Sequence, residues 1–114
     1  MIELFSPESY KVAGQAIKRV VCNGCGPKGF GSWFVPNTLW GLSIEESCFI
    51  HDWMYDEGKT IKDKEEADRV FLNNMVRIID SESSAIFKAI RRQRAMKYYS
   101  AVMDFGGPAF WDGK

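Results

Sequence analysis

The 114-residue chain has a single histidine, no formal net charge and no apolar run long enough to cross a membrane as a helix. Each shortage excludes something. With 15 basic side chains against 15 acidic ones, nothing in the overall balance offsets a phosphate backbone, so general nucleic-acid binding is not expected. Residues 1–5 lack the basic start and apolar core of a secretory leader. This makes a cytoplasmic protein the expectation, with release or non-classical export as the alternative. Three cysteines, Cys22, Cys25 and Cys48, cannot all pair within one chain, so the composition does not suggest a disulfide-stapled miniprotein and a reducing compartment is the simpler assumption. No internal repeat, low-complexity tract or linker divides the sequence, and its length suits one domain rather than two.

Large side chains, by contrast, are plentiful. A hydrophobic fraction of 46%, with four Trp and eight Phe, is enough to bury one modest core. The balanced charges are unevenly spread: Glu45 to Asp68 holds nine acids against three lysines, whereas Lys88 to Lys97 holds five bases and no acid. An acidic functional region and a basic surface strip follow from that asymmetry.

Periodicity points to a mainly α protein, with two antiparallel core helices, N- and C-terminal helices and a long Gly/Pro-rich loop. Ser6-Pro7 reads as a cap and first-turn proline, followed by Tyr10, Ala13 and Ile17 at helical spacing, which predicts a helix from about Pro7 to Val20. From Cys22 to Leu42, Gly24, Gly26, Pro27, Gly29, Gly31, Pro36 and Gly41 break the pattern, leaving a loop of roughly twenty residues with a short strand expected near Trp33 to Val35. Ser43-Ile44-Glu45-Glu46 has the pattern of a capping box opening a second helix, which runs to about Glu57 and stops at Gly58. Asp63-Lys64-Glu65-Glu66 repeats that pattern ahead of Ala67, Val70, Phe71, Met75 and Ile78, a third helix ending near Asp80. A fourth helix after Ser81–Ser84 gathers Ile86, Ala89, Ile90, Met96 and Met103 on one side, and Gly106-Gly107-Pro108 ends it. Phe110 and Trp111 beyond that stop are expected to dock on the body or on a partner.

The chemistry concentrates on the second helix. Cys48, His51, Asp52 and Tyr55 stand at i, i+3, i+4 and i+7, which brings all four to one side of the cylinder. Such a face is costly unless each polar group finds a partner. Asp68 on the third helix sits close to the apolar stripe and needs a donor, which His51 or Tyr55 could be. An imidazole oriented through one nitrogen by a carboxylate keeps the other nitrogen for a proton, the arrangement of a general base.

These residues resemble a known family. Cys48-Phe49-Ile50-His51-Asp52-Trp53-Met54-Tyr55 is similar to the Cys-x-x-His-Asp-x-x-Tyr helix of phospholipase A2, and Ala67-Asp68-Arg69-Val70-Phe71 to its later aspartate motif. Asn23-Gly24-Cys25-Gly26-Pro27-Lys28-Gly29 resembles its glycine-rich calcium loop, although Pro27 and Lys28 depart from the family pattern. The resemblance spans Cys22 to Met75. It implies hydrolysis of the sn-2 ester of a glycerophospholipid at a membrane surface, with the protein bound only peripherally. His51 would act as the base, Asp68 would hold its ring and Tyr55 would brace Asp68. Calcium would be held by Asp52 and by backbone oxygens near Gly24, Gly26 and Lys28, a donor set that suits a hard cation. Cys25 and Cys48 match a family pair joining loop to helix, which would leave Cys22 unpaired.

Two other readings compete for the same residues. Cys22-x-x-Cys25 with Cys48-x-x-His51 has the ligand count and spacing of a Cys3His zinc site, which would make His51 a ligand but give Asp52, Tyr55 and Asp68 no role. A catalytically silent binding module on a phospholipase-like framework is the other. Trp33, Phe34, Trp40 and Trp53 could line an acyl channel, though large aromatics more often belong to a core. The basic strip could rest on anionic headgroups or be solvated.

Overall fold

The computed structural model describes residues 3–21, 38–111 and 114. It is mainly α: helices α1 (Glu8–Val12), α2 (Gln15–Val21), α3 (Glu45–Glu57), α4 (Ile61–Glu82), α5 (Ala85–Phe105) and α6 (Gly107–Trp111), with a hairpin of β1 (Thr38–Leu39) and β2 (Leu42–Ser43) before α3. The strand expected near Trp33 to Val35 lies outside the described residues.

Two long helices form the frame. α4 starts on a capping box in which Thr60 accepts from the Asp63 amide while Asp63 accepts from the Thr60 amide, three residues ahead of the expected cap at Asp63. The three-residue link Gly58–Thr60 sends α4 back along α3, so the two are antiparallel neighbours and His51 comes to face Asp68 and Phe71. α3 itself departs from expectation at its start. Its N-cap is Ile44, Ser43 takes only the Glu45 amide at 3.3 Å, and Glu46 accepts from the Tyr10 hydroxyl instead of completing a box. Pairing of Ser43 with Thr38 in the hairpin places it in a strand rather than at a cap. The hairpin turns through Trp40 (φ 48°) and Gly41 (φ 81°), two left-handed residues in the order a tight two-residue connection needs.

The single N-terminal helix expected from Pro7 to Val20 is two. Ala13 leaves α1 in an extended conformation (ψ 142°), and Gly14, with no side chain to pack, offers nothing to carry the helix across the break. The N-terminal segment is nevertheless held. Buried Asn74 on α4 accepts from the Phe5 amide at 2.8 Å and donates to the Phe5 carbonyl at 2.9 Å, the pairing an extended strand would receive from a neighbour.

α5 also turns the other way from expectation. Its inward face is Ala95 and Val102, flanked by Tyr98 and Ala101, against Phe71, Met75, Ile78 and Ile79 of α4. Ile86, Ile90, Met96 and Met103, which share the side expected to be apolar, are exposed. Ala95 is fully buried against α4, and Arg91 meets the carbonyls of Leu39 and Trp40 at 3.1 and 2.9 Å, which commits that side of α5 to the hairpin. After Gly106, the short α6 buries Phe110 completely against Tyr55 and Ala67, while Trp111 stays largely exposed.

Candidate active site

The fold brings His51, Tyr55 and Asp68 together in its interior, as the helical spacing led us to expect. His51 and Tyr55 stand one turn apart on α3, and Asp68 meets them from α4. Asp68 Oδ1 lies 2.8 Å from His51 Nε2 and accepts from the Tyr55 hydroxyl at 2.6 Å. Both aromatic rings are packed in place. His51 stacks on Phe71 with ring centroids 4.6 Å apart, and Tyr55 meets the edge of Phe110 at 5.2 Å.

The sequence reading missed a fourth member. Lys64, which stands in the expected capping pattern Asp63-Lys64-Glu65-Glu66, is buried and donates to Asp68 Oδ2 at 2.8 Å and to the carbonyls of Val102 and Met103 at 3.1 and 3.4 Å. A signal was present: Lys64 and Asp68 are an i, i+4 pair. Asp68 thus takes three donors on two oxygens. No buried side-chain nitrogen or oxygen among the described residues is left without a partner.

Burial sets the protonation states. It is the main influence lowering the His51 pKa, and the nearby Lys64 charge lowers it further, against the opposing pull of Asp68, so the ring is neutral at pH 7. Burial alone would raise the Asp68 pKa. The hydrogen bonds from His51, Lys64 and Tyr55 outweigh it and keep the carboxyl below its ordinary range. Burial and then the Asp68 charge push the Tyr55 phenol far up, so it stays protonated and can only donate to the carboxylate. A neutral imidazole bonded to a carboxylate must carry its proton on Nε2, which leaves the lone pair on Nδ1. Among the described residues no hydrogen bond reaches Nδ1.

No protein-family model, curated protein or solved structure matches this chain.

The remaining expected site residues divide in two. Asp52, next to His51, is half-buried on α3. Gly24, Gly26 and Lys28, the carbonyl half of the expected calcium site, lie outside the described residues, as do Cys22, Cys25, Trp33 and Phe34. Among the described residues no three His, Cys, Asp or Glu side chains gather to hold a metal, and a site of one carboxylate and several backbone oxygens would not present such a group. Cys48 is buried and disulfide-bonded. A disulfide sulfur is not the thiolate that a Cys3His zinc site requires. Trp53 belongs to the core rather than to a channel: it is buried against Tyr10 and donates to Ser9 at 3.0 Å.

Proposed function

We propose that the protein is a calcium-dependent hydrolase of the sn-2 ester of glycerophospholipids, in which His51 removes the proton from an attacking water. The observation that carries this reading is the clamp on Asp68. A buried carboxylate fixed by three donors holds Nε2 of a neutral imidazole at 2.8 Å, so the ring is oriented and its other nitrogen keeps a lone pair. Removing a proton from water needs just such a base, within hydrogen-bond reach and unprotonated near neutral pH. Tyr55 acts on the carboxylate and not on substrate. Asp52, with backbone oxygens of the segment that includes Gly24, Gly26 and Lys28, would hold the calcium. Such an ion polarises an ester carbonyl and stabilises the oxyanion.

Two further observations support the setting. Ile86, Ile90 and Met96 are exposed on α5 beside exposed Arg94 and Lys97, a surface suited to peripheral contact with an anionic phospholipid layer. Among the described residues no helix is long and apolar enough to cross a membrane. A disulfide at Cys48 favours an oxidising compartment over a reducing one, so this reading takes the protein to act after release from the cytoplasm.

The test is release of fatty acid from phosphatidylcholine labelled separately at the sn-1 and sn-2 positions, with and without a calcium chelator. Label should leave the sn-2 position only, stop on chelation and disappear in His51→Gln, while that variant keeps its helical circular dichroism and its calcium affinity. Undiminished release by His51→Gln would remove the mechanism, and no release from the wild-type protein would favour the silent binding module.

A further inference from the structure

Lys64 is the buried charge that ester hydrolysis by His51 leaves unexplained. It occupies the fourth position of α4, where a cation is opposed by the positive end of the helix dipole, and its side chain is almost wholly removed from water. Both features are unfavourable unless something specific compensates. An ammonium has three protons, and here they meet three acceptors: Asp68 Oδ2 and the carbonyls of Val102 and Met103. Saturated in this way, Lys64 has no lone pair for nucleophilic or base chemistry, and any influence on a reaction passes through Asp68.

That influence is geometric. His51 and Tyr55 both bond Oδ1, and Lys64 alone among the three holds Oδ2. A rotation about the Cβ–Cγ bond that carried Oδ1 away from Nε2 would therefore also have to break the bond from Lys64 to Oδ2. Lys64 is itself tied 38 residues along the chain to Val102, in the last turn of α5, so the C-terminal end of that helix becomes part of the frame that aims the carboxylate. We infer that Lys64 is a positioning residue: it anchors Asp68 Oδ2 to the end of α5, and so sets the orientation in which Oδ1 meets His51 Nε2. Its effect on rate rests on the hydrolase reading above; its effect on the imidazole does not.

The experiment has one arm for each. In the wild-type protein, nitrogen-15 spectra should show a slowly exchanging Lys64 ammonium signal and a single His51 tautomer with the proton on Nε2. Lys64→Met, which keeps the length of the chain and removes the charge, should give a mixture of tautomers or a broadened Nε2 proton signal. With dispersed short-chain phosphatidylcholine it should lower kcat by about 10–100-fold, the range typical of partners that orient a reacting group, with KM changed less than about twofold. In an Asp68→Asn background the same substitution should have no further effect on kcat. Should Lys64→Met fail to fold, Lys64→Gln is read in the same two ways. A variant that keeps the single tautomer and its kcat, with only its melting temperature lowered, overturns the inference, as does a rapidly exchanging ammonium in the wild type. If the wild type hydrolyses no phospholipid, the hydrolase reading fails alone and the tautomer arm still decides the role of Lys64.

Discussion

Removing the charge of Asp68 without changing its shape should reveal how strongly the fold depends on the pair it forms with Lys64. Asp68→Asn leaves the ammonium of Lys64 buried against two carbonyls with no counter-charge, since both side chains are almost fully shielded from water and 2.8 Å apart. Breaking a buried pair from one side costs about 3–5 kcal/mol, because the surviving charge keeps its desolvation penalty. That is a large share of the roughly 5–15 kcal/mol by which a domain is stable. For a chain of this size it corresponds to a fall in melting temperature of about 10–20 °C. Lys64→Met should cost less, about 1–3 kcal/mol, because the carboxylate keeps the donors His51 and Tyr55. The double variant removes both charges and should lie within about 1–2 kcal/mol of wild type, far from the sum of the two single losses.

Urea unfolding at pH 7, followed by circular dichroism with the slope checked for constancy, measures all four corners of that cycle. A pH series adds an internal control. Asp68 has a folded pKa below its unfolded one, so its contribution is fully present above the ordinary carboxylate range and is lost as pH falls through the folded value. The gap between wild type and Asp68→Asn should therefore close in acid. Additive single losses, or a gap unchanged with pH, would refute the argument that the two charges stabilise each other in the interior.

Further outcomes follow from other contacts. Because burial holds His51 below the ordinary imidazole value of about 6.5, its unprotonated form should persist into mild acid, and the acid limb of the rate profile should lie below that value. Stability should fall over the same interval, since the unfolded ring binds a proton there and the folded ring does not. Gly106→Ala would drive a Cβ to 2.5 Å from the Tyr55 hydroxyl and into the Val102 carbonyl, so it should weaken the Tyr55 bond to Asp68; kcat and a melting curve, compared with Tyr55→Phe, check this. Asn74→Ala should release the segment around Phe5, at about 1–3 kcal/mol for two bonds to a buried amide, with amide exchange at Phe5 rising ahead of global unfolding.

How much of this was legible beforehand differs from residue to residue. The meeting of His51, Tyr55 and Asp68 followed from helical spacing and from the short link that makes α3 and α4 neighbours, both properties of local sequence. Ser43-Ile44-Glu45-Glu46 misled, because an identical local pattern can serve a strand when a partner strand is available, and the choice lies with Thr38. The apolar stripe of α5 misled for a related reason. With five bases interleaved and hydrophobic residues on several sides, periodicity alone does not decide which side meets α4; the burial of Ala95 and Val102 against it and the grip of Arg91 on the hairpin do.

By itself, the sequence determined a mainly helical chain, the pairing of its two central helices and the face on which an imidazole and a phenol stand together. Those depend on rotation per residue and on where a turn can form. Only the tertiary structure decided that Lys64 would leave the surface and complete the ring of donors around Asp68. A charged side chain is solvated or buried according to what covers it, and its cover comes from the far end of α5, 38 residues away.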